Sequence, residues 1–227
     1  SRDWGGDGRR GRMPYDAALD VQRRSHALRA AGRIRDVLFS VEHEPVFTCG
    51  RSADRGSFRV SPEAVARAGI AVRDVERGGG VTYHGPGQLV VYPILDLRAW
   101  GRDVKGHVAR LEAAGIRTLA AFGVDAGRRV GLPGVWTARG KIASVGVYVR
   151  RWVTMHGLAL NVAVDRAHFA MIDPCGLPVQ AVSMADELGV APAVAEVEQQ
   201  FVREYGFALG VEWRERPLAW VEEEGRD

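Results

Sequence analysis

Cysteine is scarce in this chain: only Cys49 and Cys175 occur among 227 residues. Two thiols make no disulfide framework, so nothing points to an oxidising compartment and both are expected to be reduced. The sequence also lacks any apolar run near the roughly 20 residues of a membrane span. Its opening, Ser1-Arg2-Asp3-Trp4-Gly5-Gly6, has no apolar signal core. The expectation is a cytoplasmic protein that contacts no membrane. Paired ligand spacing is missing among the six histidines and two cysteines, so neither a metal nor a cofactor is expected. No zinc-finger, helix-turn-helix or RNA-binding signature accompanies the basic charge, which argues against nucleic acid.

What is present is enough for one ordinary core, with 46% hydrophobic and 26% charged residues. The net charge of +3 rests mainly on arginine, clustered early and in the pairs Arg128-Arg129 and Arg150-Arg151. Most of these are solvated surface. As a face they would speed encounter with an acidic partner.

Residues 1–13 are Gly/Arg-rich and expected to be mobile. The pattern predicts a helix from Tyr15 to Ala31, with Gly32 as its stop. Strands follow at 36–41 and 45–48. Ser61-Pro62 starts a short helix that Gly69 ends, and residues 70–75 form the next strand. Residues 88–95 read as a strand in which Pro93 signals an edge or an irregularity. Asp103 caps a helix running to about Phe122, with Val104, Val108, Leu111 and Thr118 facing inward. Residues 134–137, 141–149 and 153–162, joined by short turns, make an antiparallel meander. A helix at 194–209 and a strand near Trp213 complete the chain. This irregular alternation predicts an α+β fold with a mixed, largely antiparallel sheet flanked by helices. The domain is expected over 14–215 with a tail at 216–227, and a small lobe from about Ala181 is the alternative.

The chemistry concentrates in three stretches. In Arg77-Gly78-Gly79-Gly80-Val81-Thr82-Tyr83-His84, three glycines strip the backbone so that a ligand can lie against it. A strand follows in place of a helix, and no Gly-Lys-Ser/Thr ending occurs, which argues against nucleotide binding. Cys175 sits in Asp173-Pro174-Cys175-Gly176-Leu177, a stiff turn suited to hold a nucleophile. Cys49, beside Phe47 and Thr48, reads as a buried inert thiol. Lys141 begins the apolar strand Lys141-Ile142-Ala143-Ser144-Val145-Gly146-Val147, where desolvation would suit it to proton transfer. His84 and His156 are rival bases; for His156, lining a pocket is the better reading.

These stretches, with His156-Gly157-Leu158-Ala159-Leu160-Asn161-Val162, together resemble the lipoyl(octanoyl) transferase family, over about Tyr15 to Gly210. The resemblance implies a fold like that of the biotin/lipoate protein ligases and a Cys175/Lys141 dyad. In such a dyad Cys175 takes the octanoyl group from octanoyl-acyl carrier protein as a thioester, with Lys141 as acid and base. A lysine of an apo lipoyl domain, from 2-oxoacid dehydrogenase complexes or the glycine-cleavage H protein, then accepts the group. The resemblance also implies an acyl-substrate pocket of Arg77, Gly78, Gly79, Gly80, Val81, Thr82, Tyr83, His84, Ser144, Val145, Gly146, Gly157, Leu158 and Ala159. The Gly/Arg-rich start departs from the strand expected there. The rivals are an ATP-dependent lipoate or biotin ligase, a thioesterase pairing Cys175 with a histidine, and a non-catalytic lipoyl-binding module.

Overall fold

The computed structural model describes residues 2–6, 12–173 and 180–216. Its first half contains β1 (Arg2–Gly6), α1 (Tyr15–Ala30), β2 (Val37–Val41), β3 (Val46–Cys49), α2 (Pro62–Arg67), β4 (Ala71–Asp74), β5 (Val81–His84) and β6 (Gln88–Ile94). Next come α3 (Val104–Ala121), β7 (Gly127–Arg129), β8 (Leu132–Trp136), β9 (Lys141–Arg150) and β10 (Val153–Asn161). After these follow α4 (Arg166–Phe169), α5 (Met184–Leu188), α6 (Val194–Leu209) and β11 (Trp213–Glu215).

Eight strands pair in the order β11-β1-β2-β6-β10-β9-β8-β7, and β4-β3-β5 make a second, smaller sheet. In the large sheet only β1 runs parallel to its neighbours; every other pairing is antiparallel. The mixed, largely antiparallel α+β fold is therefore as the sequence predicts.

Period-two alternation of side chains divides the large sheet between two cores. Leu38, Leu89 and Val91 join Leu111 and Leu119 of α3 and Phe201 and Tyr205 of α6 on one face. Phe39, Val90, Tyr92 and Ile94, one residue out of step, meet Tyr15, Ala18 and Leu28 of α1 on the other. Each such side chain, fully buried, contributes roughly 1.5–3 kcal/mol. A third core lies between the small sheet and α2 and α4, around Phe47, Val65, Tyr83 and Phe169. Residues from 182 onward (Val182, Met184, Val197, Phe201) pack into the α3 core and form no lobe of their own.

Pro93 lies in the middle of the sheet, not on an edge, and the irregularity is in its partner. The β6–β10 ladder stops at Leu158↔Val91, so the missing N–H of Pro93 faces no acceptor there. Thr154 Oγ1 donates to Pro93 O at 2.6 Å and accepts from Leu95 N at 2.9 Å, bridging the gap. Opposite this break, His156 adopts φ +58°.

Strands β1 and β7 and the short helices α4 and α5 were not predicted. Arg2–Gly6 is too glycine-rich to read as a strand; pairing with β2 and β11 on either side decides it. No helix among the described residues is long and apolar enough to cross a membrane.

Candidate active site

The glycine run crosses the open side of β9. Gly78 N donates to Val147 O at 3.0 Å, and Gly50 and Ser52 donate to the carbonyls of Gly80 and Gly79. Arg77, buried, stiffens the loop: Nη2 donates to Thr48 O at 2.6 Å, Nε to Thr48 Oγ1 at 3.2 Å and Nη1 to Gly78 O at 3.0 Å.

Beneath this loop is a narrow cavity of about 60 Å³. Val81, Val90, Val145, Leu158 and Ala159 form its apolar walls, and Lys141 also lines it. Tyr15, Tyr92, His84 and His156 supply polar groups. Of the residues implied by the resemblance, Arg77, Gly78, Gly79, Gly80, Val81, Thr82, His84, Ser144, Val145, Gly146, Gly157, Leu158 and Ala159 all line it. Tyr83 does not: its ring is in the third core and its hydroxyl meets His168 Nδ1 at 2.8 Å. Strand alternation turns it away from its neighbours Thr82 and His84. Burial raises its phenol to about 12. At Gly157 a Cβ would stand 2.2 Å from Val91 O, so only glycine lets β10 approach β6 this closely.

Burial favours the neutral forms of Tyr15, Tyr92, His84 and His156. Gln88 donates from Nε2 to Tyr83 O and Asn161 Oδ1, which leaves Oε1 to accept from His84 Nδ1 at 2.8 Å. Its other nitrogen faces Thr48 Oγ1 at 3.4 Å. Desolvation, with His43 nearby, pushes the His84 pKa well below its ordinary value. His156 Nε2 lies 3.9 Å from Glu76, an ion-pair separation longer than a hydrogen bond. That imidazole is the main reason the Glu76 pKa falls to about 2, while burial depresses His156 itself. His156 is thus a cavity-lining residue, as read from the sequence.

Lys141 stands where the narrow cavity meets a wider groove of about 720 Å³. Its Nζ lies 5.2 Å from the centroid of the Trp136 ring, and Arg129 lies 4.5 Å from the same ring. Trp136 is fixed by donation from Nε1 to Leu132 O at 3.1 Å. Gly134, at φ +127°, completes this cradle: a Cβ there would come within 2.5 Å of Ala143 O and 2.6 Å of Lys141 Cε. Its N–H is held by the buried Glu112 carboxylate at 2.9 Å.

Cys175 lies outside the described residues, as do 174 and 176–179. The residues that flank them are anchored. Asp173 N donates to Ser57 O at 2.7 Å, and its carboxylate pairs with Arg59. On the other side Gln180 O accepts from Lys141 N at 2.9 Å, and Val182 N returns to Lys141 O at 3.0 Å. The chain that follows Cys175 therefore rejoins the fold on the backbone of Lys141. Cys49 is buried in β3 within the third core.

Sequence reasoning did not single out Trp136, Gly134, Tyr15 or Tyr92. One signal was legible. Lys105 and Lys141 are the only lysines, so 29 of the 31 Lys+Arg residues are arginine. Arginine does not release a proton in proteins, so among the described residues Lys141 is the one cation lining the cavity that is able to exchange a proton.

The same α+β fold is found in solved lipoate protein ligases. The chain superposes on lipoate-protein ligase A bound with ATP at TM-score 0.75 and 17% identity, covering 98% of this chain and 91% of that one. The bipartite lipoate protein ligase of Thermoplasma acidophilum gives TM-score 0.72, also at 17% identity, over 98% and 89%. The family model of the lipoyl protein ligase A/B catalytic domain matches residues 14–206, and the chain belongs to that family. Within it, the octanoyltransferase of Solibacter usitatus is 48% identical over 195 residues, covering 86% of this chain and 88% of that protein. The octanoyltransferase of Gloeobacter violaceus is 50% identical over 168 residues, 74% and 73% of the two chains.

Proposed function

We propose that this protein is an octanoyltransferase of protein lipoylation, moving an octanoyl group from carrier-protein thioester to a lysine of an apo lipoyl domain through Cys175. The observation that carries the reading is the position of Lys141. It lines both a narrow apolar cavity and an open groove, and the segment bearing Cys175 is tied to its backbone at Gln180. The octanoyltransferase relatives point the same way.

In the first step Lys141 Nζ takes the Cys175 thiol proton, and Sγ attacks the donor's thioester carbonyl. The new S–C bond forms, the donor C–S bond breaks, and the departing thiolate recovers the proton from Lys141. In the second step the acceptor amine attacks the enzyme thioester. A C–N bond forms, the Sγ–C bond breaks, and the amine proton passes through Lys141 to Cys175. Thioester exchange is nearly isoenergetic and amide formation is downhill, so neither ATP nor a redox partner enters. The acyl chain is held by the valine, leucine and alanine walls, at about 0.8 kcal/mol per buried methylene.

The fold alone is compatible with an ATP-dependent ligase, and dependence on ATP separates the two. A thioesterase using His84 as base is disfavoured by geometry, because both ring nitrogens already face partners, Gln88 and Thr48.

Intact-mass spectrometry of the chain mixed with octanoyl-carrier protein, without ATP, tests the proposal. The expected result is one octanoyl adduct that hydroxylamine removes. Cys175→Ala should abolish it, Cys49→Ala should keep it, and Lys141→Arg should slow its formation by about 10²-fold or more. Acylation only with ATP and free acid would move the chain to the ligase class.

A further inference from the structure

Glu112 is a carboxylate buried on α3, where a charge without partners is strongly unfavourable, and both of its oxygens are engaged. Oε1 accepts from Gly134 N at 2.9 Å, and Oε2 accepts from Arg128 Nε at 2.8 Å. Arg128 also donates from Nη2 to Ala109 O at 2.6 Å, so α3, β7 and β8 meet at this one acidic side chain. Glu112 lines neither the narrow cavity nor the groove. Its reach toward the chemistry runs through Gly134.

Both ladders of β8 are irregular around that glycine. Toward β9, Val135 and Trp136 are adjacent while their partners Ala143 and Lys141 are two apart, so Ile142 is an extra residue on β9. Toward β7, Leu132 and Trp136 are four apart while Arg129 and Gly127 are two apart. Among the described residues Gly134 therefore stands opposite no registered partner, and its N–H turns to the Glu112 carboxylate. A bulge beside a site re-aims the neighbouring side chain, and the neighbour here is Lys141. Contact is close: a Cβ at Gly134 would come within 2.6 Å of Lys141 Cε, so the glycine backbone is a wall against the lysine stem.

We propose that Glu112 is a positioning residue for acyl transfer: its carboxylate pins the irregular backbone at Gly134, and Gly134 fixes where Lys141 Nζ stands between cavity and groove. The proposal rests on the transferase reading above, in which Nζ must come within hydrogen-bond reach of Sγ in both steps. A lysine has four rotatable bonds, so its tip is placed only as well as the walls along its stem. Trp136 supplies one wall and Gly134 another. Without the carboxylate, the Gly134 N–H loses its acceptor and the second wall is no longer held.

Single-turnover acylation with excess octanoyl-carrier protein, followed by intact mass, gives two readings: the fraction of chain that acylates and the rate at which it does so. Glu112→Leu removes the acceptor at similar volume. Glu112→Asp keeps a carboxylate for Arg128 but draws it back from Gly134. Both variants should acylate completely, about tenfold more slowly than the parent, with half-saturation at an unchanged donor concentration. Glu112→Gln keeps an oxygen for Gly134 N–H, and Arg128, half-exposed, can turn to solvent away from the new amide nitrogen. Its rate should stay within about threefold of the parent. A smaller acylating fraction at the parent rate would assign Glu112 to stability alone and overturn the proposal. So would parent rates in the leucine and aspartate variants, or a glutamine variant as slow as the aspartate one. If the leucine variant does not fold, the aspartate and glutamine variants decide between the same outcomes. Failure of the parent itself to form the Cys175 thioester without ATP would overturn the transferase reading and this one together.

Discussion

A lysine ammonium beside an indole face is stabilised by the ring quadrupole, by about 1 kcal/mol when partly desolvated. Trp136 therefore holds the Lys141 side chain against its ring face, and Gly134 lets that side chain lie close to it. Replacing Trp136 by leucine removes the face that orients the ammonium. Cys175 acylation, followed by intact mass at saturating donor, should slow several-fold, and Trp136→Phe should restore part of the parent rate. An unchanged rate in the leucine variant would contradict a positioning role for Trp136. Lys141 was legible as a candidate because it opens an apolar strand and falls in a stretch that resembles the transferase family. Its cradle was not, because Gly134 and Trp136 gain meaning only when β8 folds back beside β9.

At the scale of elements, the site depends on how β5, β6 and β10 are joined at their ends. Gln88 connects them through Tyr83 O, His84 and Asn161, and Asn161 Nδ2 passes the chain of bonds on to Val182 O at 2.9 Å. Val182 in turn donates to Lys141 O. All these groups are buried, so a broken link leaves an unsatisfied donor or acceptor, worth about 1–3 kcal/mol. Gln88→Leu should destabilise the fold by about that amount in urea unfolding and reduce acylation, since it unties the strand end that faces Lys141. The strand assignments for residues 37–41, 46–49 and 88–94 could be read from β-branched and apolar runs. The short edge strands β1 and β7 could not. A three- or five-residue strand rich in glycine and arginine has no periodic signal, and its pairing partners supply the whole preference.

Across the molecule, burial of imidazoles ties stability to pH. His43 and His107 are both depressed to about 4 by desolvation. Between pH 6.5 and 4 the unfolded chain binds protons that the native state refuses, so stability falls as pH falls through that window. Each histidine accounts for up to roughly 3 kcal/mol of that loss. Urea midpoints should drop between pH 7 and 4.5, and His107→Leu should make the drop shallower. A midpoint independent of pH would contradict the burial of both residues. The same compaction sets the α1 core against one face of the sheet and the α3–α6 core against the other, leaving the cavity between the sheet and the glycine loop.

The amino-acid sequence by itself determined the type of the longer elements, the mixed and largely antiparallel fold class, and the chemistry-bearing stretches. Hydrophobic period, capping residues and glycine runs are local properties that act within a few residues. The resemblance to the transferase family, carried by those stretches, put Arg77–His84, Ser144–Gly146 and Gly157–Ala159 among the candidates. Only the tertiary structure decided which side chains converge. It turned Tyr83 away from the cavity, set Val104 against both the α3–α6 core and the groove, gave Val108 to the groove, and put Pro93 opposite a break in β10 rather than on an edge. These outcomes depend on strand register and on contacts between residues far apart in the chain, where packing and hydrogen-bond satisfaction override local preference.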